Sequence, residues 1–311
     1  MQSINSGASK AMPSCKDLEA RVLNSLAEQI AVIDNQGEIV YTNASWADFG
    51  RNNGLPEGGP GPKTNYLQVL RQSAGSGDHL AAVAIQGISH VIQGDLPTFY
   101  HEYPCHSPTR KRWFMMRVCT VRDSSRQLLV ISHQDITARK LAEQKAHYLS
   151  QHDFLTELAN RRYFHQHFHE EIDRCTRQQE PISLILLDID RFKEYNDRLG
   201  HQAGDACLKQ IAGVIKKFCK RTGDLAARMG GDEFALILPN TGATAAEQLA
   251  ISIQKQIAAL DLRHIDNQCV TVSVGIVAEI PDSHTREDSL LERADQALYR
   301  DKTQRLQREQ N

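Results

Sequence analysis

The chain predicts two domains joined by a helix: an α+β domain first, then an α/β domain whose helices flank a central sheet. Three observations carry this. The 311 residues exceed one ordinary domain and suit two, and an apolar share of 41% is ample for two cores. The first half reads as a hairpin, then helices, then three strand-like runs, the segregated order of an α+β arrangement. The second half alternates helical and strand patterns around a continuous apolar run, as a covered sheet requires.

Residues 1–16 lack hydrophobic periodicity and read as a flexible tail, and residues 17–137 form the first domain. A helical pattern runs from Asp17 through Leu18, Val22, Leu23 and Leu26. Strand-like residues 30–33 and 38–42 flank Asp34-Asn35-Gln36-Gly37, where Asn and Gly admit the positive φ of a hairpin turn. The Gly/Pro-rich residues 54–62 support neither helix nor strand. Strands follow at 98–104, 111–121 and 127–135, the second apolar on both faces. Tyr103-Pro104-Cys105-His106-Ser107-Pro108 pairs a cysteine with a histidine, yet one such pair lacks the further ligands a metal or haem needs; a Pro-bounded loop is the better reading. From 138 to 152 the residues Ala138, Leu141, Ala142, Lys145, Tyr148, Leu149 and His152 recur at helical spacing. This linker helix reads as a parallel seam between two protomers in preference to a helix lying on its own domain. The α/β domain occupies 153–306 and a short tail 307–311.

Composition narrows the function classes. Basic and acidic residues, 36 against 38, nearly cancel to −2, which argues against a nucleic-acid or membrane-surface protein. The 7 cysteines are scattered, odd in number and never CxxC, which argues against a disulfide framework and fits a reducing cytoplasm. No apolar run approaches the ~20 residues of a membrane span, and no signal-peptide pattern opens the chain. A cytoplasmic location is expected.

The chemistry concentrates in two places. Residues 182–189 are nearly all apolar, bounded by Pro181 and Asp190, and end in Asp188-Ile189-Asp190. Side chains alternate along a strand, so Asp188 and Asp190 share a face while Ile189 points away. Two carboxylates at the end of a buried strand repel, and a cation is the usual remedy. Farther on, strand-like residues 225–229 and 234–238 flank Gly230-Gly231-Asp232-Glu233. The glycines permit a tight turn and let a phosphate approach the backbone. Taken alone, this is also what a solvated surface hairpin looks like. If the hairpin lies beside the strand ending in Asp188, hard oxygens converge for Mg²⁺, an arrangement suited to metal-assisted nucleotidyl transfer.

Longer motifs connect both halves to known families. Residues 33–43, Ile-Asp-Asn-Gln-Gly-Glu-Ile-Val-Tyr-Thr-Asn, and 133–137, His-Gln-Asp-Ile-Thr, resemble a PAS sensor domain over about 17–137. PAS domains hold haem, flavin, small metabolites or nothing, so the resemblance names no ligand. Gly230-Gly231-Asp232-Glu233-Phe234 stands in register with four further stretches: 153–162 (Asp-Phe-Leu-Thr-Glu-Leu-Ala-Asn-Arg-Arg), 188–197 (Asp-Ile-Asp-Arg-Phe-Lys-Glu-Tyr-Asn-Asp), 200–205 (Gly-His-Gln-Ala-Gly-Asp), and the pair 272–276 with 294–299. Residues from about 153 to 302 thereby resemble the GGDEF domain of diguanylate cyclases, a nucleotidyl-cyclase-like fold.

That resemblance implies two GTP condensed into cyclic di-GMP and two pyrophosphates, with Mg²⁺ or Mn²⁺ as cofactor. It implies Asp188, the Ile189 carbonyl and Asp232 on the metal, and Glu233 assisting with metal or with the attacking 3′-hydroxyl. Asn196 and Asp205 read guanine, and Asp205 in place of serine argues for GTP on both sides. Phe192, Lys193 and Lys302 line the triphosphate, with Gly230 and Gly231 at the substrate and His201 near ribose or base. One GTP per domain makes a homodimer part of the mechanism. Two departures stand out. Lys302-Thr303-Gln304-Arg305 places its arginine one position early for the family's phosphate contact. Arg221-Thr222-Gly223-Asp224 matches the RxxD site for inhibitory cyclic di-GMP, but Glu247-Gln248-Leu249-Ala250-Ile251-Ser252 lacks the second arginine many inhibited members carry. The competing readings are a non-catalytic receptor for GTP or cyclic di-GMP, and a scaffold in which the sensor and helix assemble a partner complex.

Overall fold

Separate cores organise the two units of the computed structural model, Met1–Glu143 and Gln144–Asn311. It describes residues 15–55, 59–121, 127–264 and 268–310. The tail assigned to 1–16 falls outside these except for residues 15 and 16, which already belong to the first helix.

In the first unit α1 (Cys15–Ser25) leads into β1 (Gln29–Asp34) and β2 (Ile39–Thr42). Asp34 Oδ1 accepts the backbone N–H of Gln36 and of Glu38, each at 2.9 Å, which closes the expected hairpin. Helices α2 (Ala44–Asn52), α3 (Tyr66–Gly75) and α4 (His79–Gln93) follow, started by the side chains of Asn43, Asn65 and Asp78. Then come β3 (Thr98–Pro104), β4 (Trp113–Thr120) and β5 (Leu128–Asp135), completing an antiparallel sheet in the order β2-β1-β5-β4-β3. The helices cover one face, burying Leu67, Ala84, Ile88 and Val91 against Ile33, Met116, Val118, Leu129 and Ile131. Only one face of β4 is fully buried: Phe114, Met116 and Val118 pack inside while Arg117 is exposed. Residues 105–112 form a turn in which His106 Nδ1 accepts the Arg112 backbone N–H at 3.1 Å, as the loop reading expects.

Helix α5 (Thr137–Gln151) buries none of its residues. Leu141, Tyr148 and Leu149 stand 47%, 45% and 54% exposed among the described residues.

The second unit runs β6 (Ala159–Asn160), α6 (Arg161–Gln178), β7 (Ile182–Ile189), α7 (Phe192–Leu199), α8 (His201–Lys216), β8 (Leu225–Gly230), β9 (Glu233–Pro239), α9 (Ala243–Ala258), β10 (Val272–Glu279) and α10 (Glu287–Gln310). Its sheet has the order β10-β7-β9-β8-β6, parallel only between β6 and β8. β7 is continuously apolar because both its faces are covered. Ile185, Leu187 and Ile189 enter a core with Leu208, Ile211 and Ile253 of α8 and α9, while Ile182 and Leu184 meet Phe164 and Phe168 of α6 on the other side. α10 continues through residues 307–310, which the sequence reading sets apart as a tail. Among the described residues no helix is long and apolar enough to cross a membrane.

Candidate active site

β7 and β9 pair antiparallel with Asp188 opposite Glu233, so the Gly230–Glu233 turn comes beside the carboxyl end of the buried strand. The glycines are required by the turn: Gly230 has φ +150° and Gly231 φ +52°, both costly for an L side chain. The Ile189 N–H donates to the Asp232 carbonyl at 3.4 Å. Asp188, Ile189, Phe192, Lys193, Asp232 and Lys302 together line one cleft of about 260 Å³. Phe192 and Lys193 reach it from the first turn of α7, Lys302 from α10.

Asp188 is the electrostatic centre of that cleft. Burial raises its carboxyl above the ordinary value, the neighbouring Asp232 and Glu233 push the same way, and Lys302 Nζ, 2.7 Å from Oδ2, opposes them. Among the described residues no group of three or more His, Cys, Asp or Glu side chains has metal-cluster geometry. The cleft's carboxylates are those of Asp188, Asp190 and Asp232, with Ile189 beside them, and Asp190 is already held by two hydroxyls. An under-compensated set of hard oxygens fits Mg²⁺, which takes its remaining ligands from water and substrate phosphate. Glu233 also lines a separate cavity with Arg161, His165 and Met229.

The residues expected from the sequence to read the base lie apart from this cleft. Asn196 belongs to α7, His201 and Asp205 to α8, and none of the three lines it. Asn196 Oδ1, like the Tyr41 hydroxyl and His101 Nε2 elsewhere, is buried without a hydrogen-bond partner. Gly204 makes room for it: a Cβ there would fall 1.8 Å from that oxygen.

Arg305, early as its position is, does reach the cleft. Its Nε is 3.3 Å from Asp301 Oδ2 and its Nη1 3.7 Å from Asp190 Oδ2. Asp190 is in turn held by the hydroxyls of Thr271 at 2.5 Å and Ser273 at 2.6 Å. At the RxxD stretch, Asp224 Oδ2 accepts the N–H of Lys220 and of Arg221, at 3.1 and 2.8 Å, and so shapes the turn. Arg221 and Asp224 border a cavity of about 270 Å³ that Leu249 of α9 also lines.

Sequence reasoning missed the brace under the turn. Arg228 donates from Nε and Nη2 to the Gly231 carbonyl at 3.0 and 2.7 Å, and from Nη1 to Asp153 Oδ1 at 3.1 Å. Burial works against ionisation of Asp153, but hydrogen bonds from Thr156 and Arg228 outweigh it and hold the carboxyl below its ordinary value. Asp153 and Thr156 stand in the recurring stretch at 153–162; nothing local tied them to Arg228.

Residues 150–308 match the family model described as "Diguanylate cyclase, GGDEF domain", and residues 23–141 match the PAS fold. The chain is 35% identical over 218 residues to "Diguanylate cyclase DgcM" of Escherichia coli (strain K12), covering 69% of this chain and 51% of that protein. It is 38% identical over 154 residues to "Diguanylate cyclase A" of Treponema denticola, 48% of this chain and 41% of that one. It thus spans about half the length of the curated relatives it matches. Among solved structures, the coiled coil and GGDEF domain of DgcB from Caulobacter crescentus in complex with c-di-GMP aligns with TM-score 0.48 and 32% identity, covering 52% of this chain and 86% of that one. With a PAS fold ahead of it and the family model matched across a little over half its length, the chain belongs to the GGDEF diguanylate cyclase family.

Proposed function

We propose that the chain condenses two GTP into cyclic di-GMP and two pyrophosphates, the 3′-hydroxyl of each nucleotide attacking the α-phosphate of the other. The observation that carries this is the cleft itself: Asp188 and Asp232 on adjacent strand ends, with Lys302, Lys193 and Arg305 around them. Mg²⁺ or Mn²⁺ bound by Asp188, Asp232 and the Ile189 carbonyl supplies neutralisation of the triphosphate and a lowered pKa for the attacking hydroxyl. Lys302 compensates Asp188 and is placed to pair with phosphate in the same cleft. Gly230 and Gly231 present no side chain, so phosphate can approach the backbone of the turn. Phe192 walls the cleft from α7. Asn196, with its open acceptor, and Asp205 read the N1/N2 edge of guanine, and His201 stands at the start of the same helix. Glu233, opposite Asp188, assists the metal or the attacking hydroxyl.

Each domain holds one GTP, so two chains must face each other, and the exposed stripe of α5 is the seam that joins them. The PAS unit regulates this pairing, and Arg221 with Asp224 binds product as a brake weakened by the missing second arginine. The protein works in the cytoplasm, on nucleotide and not on nucleic acid. Incubating the dimer with GTP and Mg²⁺ and separating products by chromatography tests the reading: cyclic di-GMP and pyrophosphate form, and Asp232→Ala reduces them to background. GTP binding without turnover in the wild type favours the receptor reading instead.

A further inference from the structure

The inner face of the PAS sheet keeps more hydrogen-bonding capacity than its core uses. β3 turns Phe99, His101 and Tyr103 inward, their rings stacked with 6.1 Å between neighbouring centroids. His133 of β5 is buried, and burial pushes its imidazole down to about 4, so the ring is neutral and carries one N–H. Its Nδ1 lies 2.7 Å from the Tyr103 hydroxyl and its Nε2 3.4 Å from the Tyr66 hydroxyl. Burial also pushes both phenols upward, so both stay protonated. One N–H and two O–H groups therefore serve two contacts, and in either tautomer one tyrosine hydroxyl keeps an unspent proton. Nearby, His101 Nε2 is buried with no partner at all.

These groups meet in one cavity of about 250 Å³. The rest of its wall is mainly apolar, with Leu70, Leu80, Ala84 and Met116. No lysine or arginine lines it, and its carboxylate, Asp78, uses Oδ1 to cap α4. An anion would be buried there without a counter-charge. The volume lies just under the ~300–1,000 Å³ of pockets for drug-sized molecules, which suits a compact ligand and is too small for a tetrapyrrole. Water alone finds few partners along the aliphatic wall.

We propose that this cavity is a binding site for an uncharged aromatic molecule of one or two rings that carries a carbonyl-type oxygen. The oxygen accepts from the Tyr66 or Tyr103 hydroxyl, and a neighbouring polar group pairs with His101 Nε2. Trp46, whose ring centroid is 5.6 Å from that of His133 and 6.0 Å from that of Tyr66, senses occupancy from the far side. The proposal does not depend on the cyclase reading.

Calorimetric titration of the full chain with benzamide, 1-naphthamide, benzoate and ethylbenzene tests it, with tryptophan fluorescence as a second signal. The two amides bind and change the emission, and benzoate binds at least about a hundredfold more weakly, because its charge is unpaired. Ethylbenzene, which lacks the oxygen, binds about two- to tenfold more weakly than benzamide, the value of one neutral hydrogen bond. Tyr66→Phe combined with Tyr103→Phe removes both hydroxyls and weakens benzamide by the same factor, as does His101→Phe; the tyrosine pair keeps ring volume and the test stays open if the histidine variant misfolds. The proposal is overturned if neither amide binds, if benzoate or ethylbenzene matches benzamide, if the folded variants bind like wild type, or if the purified protein shows a haem or flavin spectrum.

Discussion

Asp188 and His133 are both buried and titratable, and their surroundings answer burial differently. Asp188 sits where burial and two neighbouring acids raise its carboxyl, which one lysine only partly offsets. His133 is left neutral between two phenols. Its folded-state value of about 4 lies below the ordinary 6.5, so the unfolded chain binds more protons between those pH values. Stability is therefore full above pH 6.5 and falls as pH drops towards 4, by about 3 kcal/mol for this one group. Urea melts across that range, followed by tryptophan fluorescence, check this, and His133→Phe should flatten the dependence. Arg228 acts through geometry instead. Removing its double grip on the Gly231 carbonyl lets the turn carrying Asp232 drift, and displacements of about 1 Å can cost 10²-fold in rate. Arg228→Ala should lower kcat by about that factor, and should lower the melting temperature as well because Asp153 loses its partner. Arg228→Lys should not restore the rate, since one ammonium cannot reproduce the fork.

At the level of elements, the α7–α8 pair is the tightest constraint near the candidate base site. Gly204 faces Asn196 so closely that Gly204→Ala must push the amide away. Under the proposed role of Asn196, this variant raises KM for GTP about tenfold or more while kcat at saturation changes less. Steady-state kinetics in GTP decide it; an unchanged KM would remove Asn196 from the base site. The brace Asp153–Arg228–Gly231 likewise ties the residues after α5 to the β8–β9 turn.

For the molecule as a whole, the described cores stay within their own units: Ile33, Ile88, Met116 and Ile131 in the first, and those around Phe164, Leu187 and Phe234 in the second. Both of the chain's 2 tryptophans, Trp46 and Trp113, belong to the first. Tryptophan fluorescence therefore follows unfolding of the PAS unit, whereas far-UV circular dichroism follows both. The two curves should separate on denaturant titration; coincident transitions would mean that the units unfold as one.

Local pattern determined much of this protein. Strands form at 98–104 and 182–189 where the sequence pattern places them, because period and bounding residues act over neighbours in the chain. The Gly-Gly turn was legible because positive φ is a property of the residue itself. The contacts that make a site were not. Lys302 on Asp188, Arg228 on Gly231 and Asp153, and His133 between Tyr66 and Tyr103 join residues distant in sequence. Sheet register and helix packing bring such groups together, and neither leaves a local trace. Arg305 makes the point most directly: its offset in the chain casts doubt on a place at the phosphates, yet α10 carries it to the same cleft as Lys302. Helical rotation and the reach of a long side chain, set by packing against the sheet, decided where that charge lies.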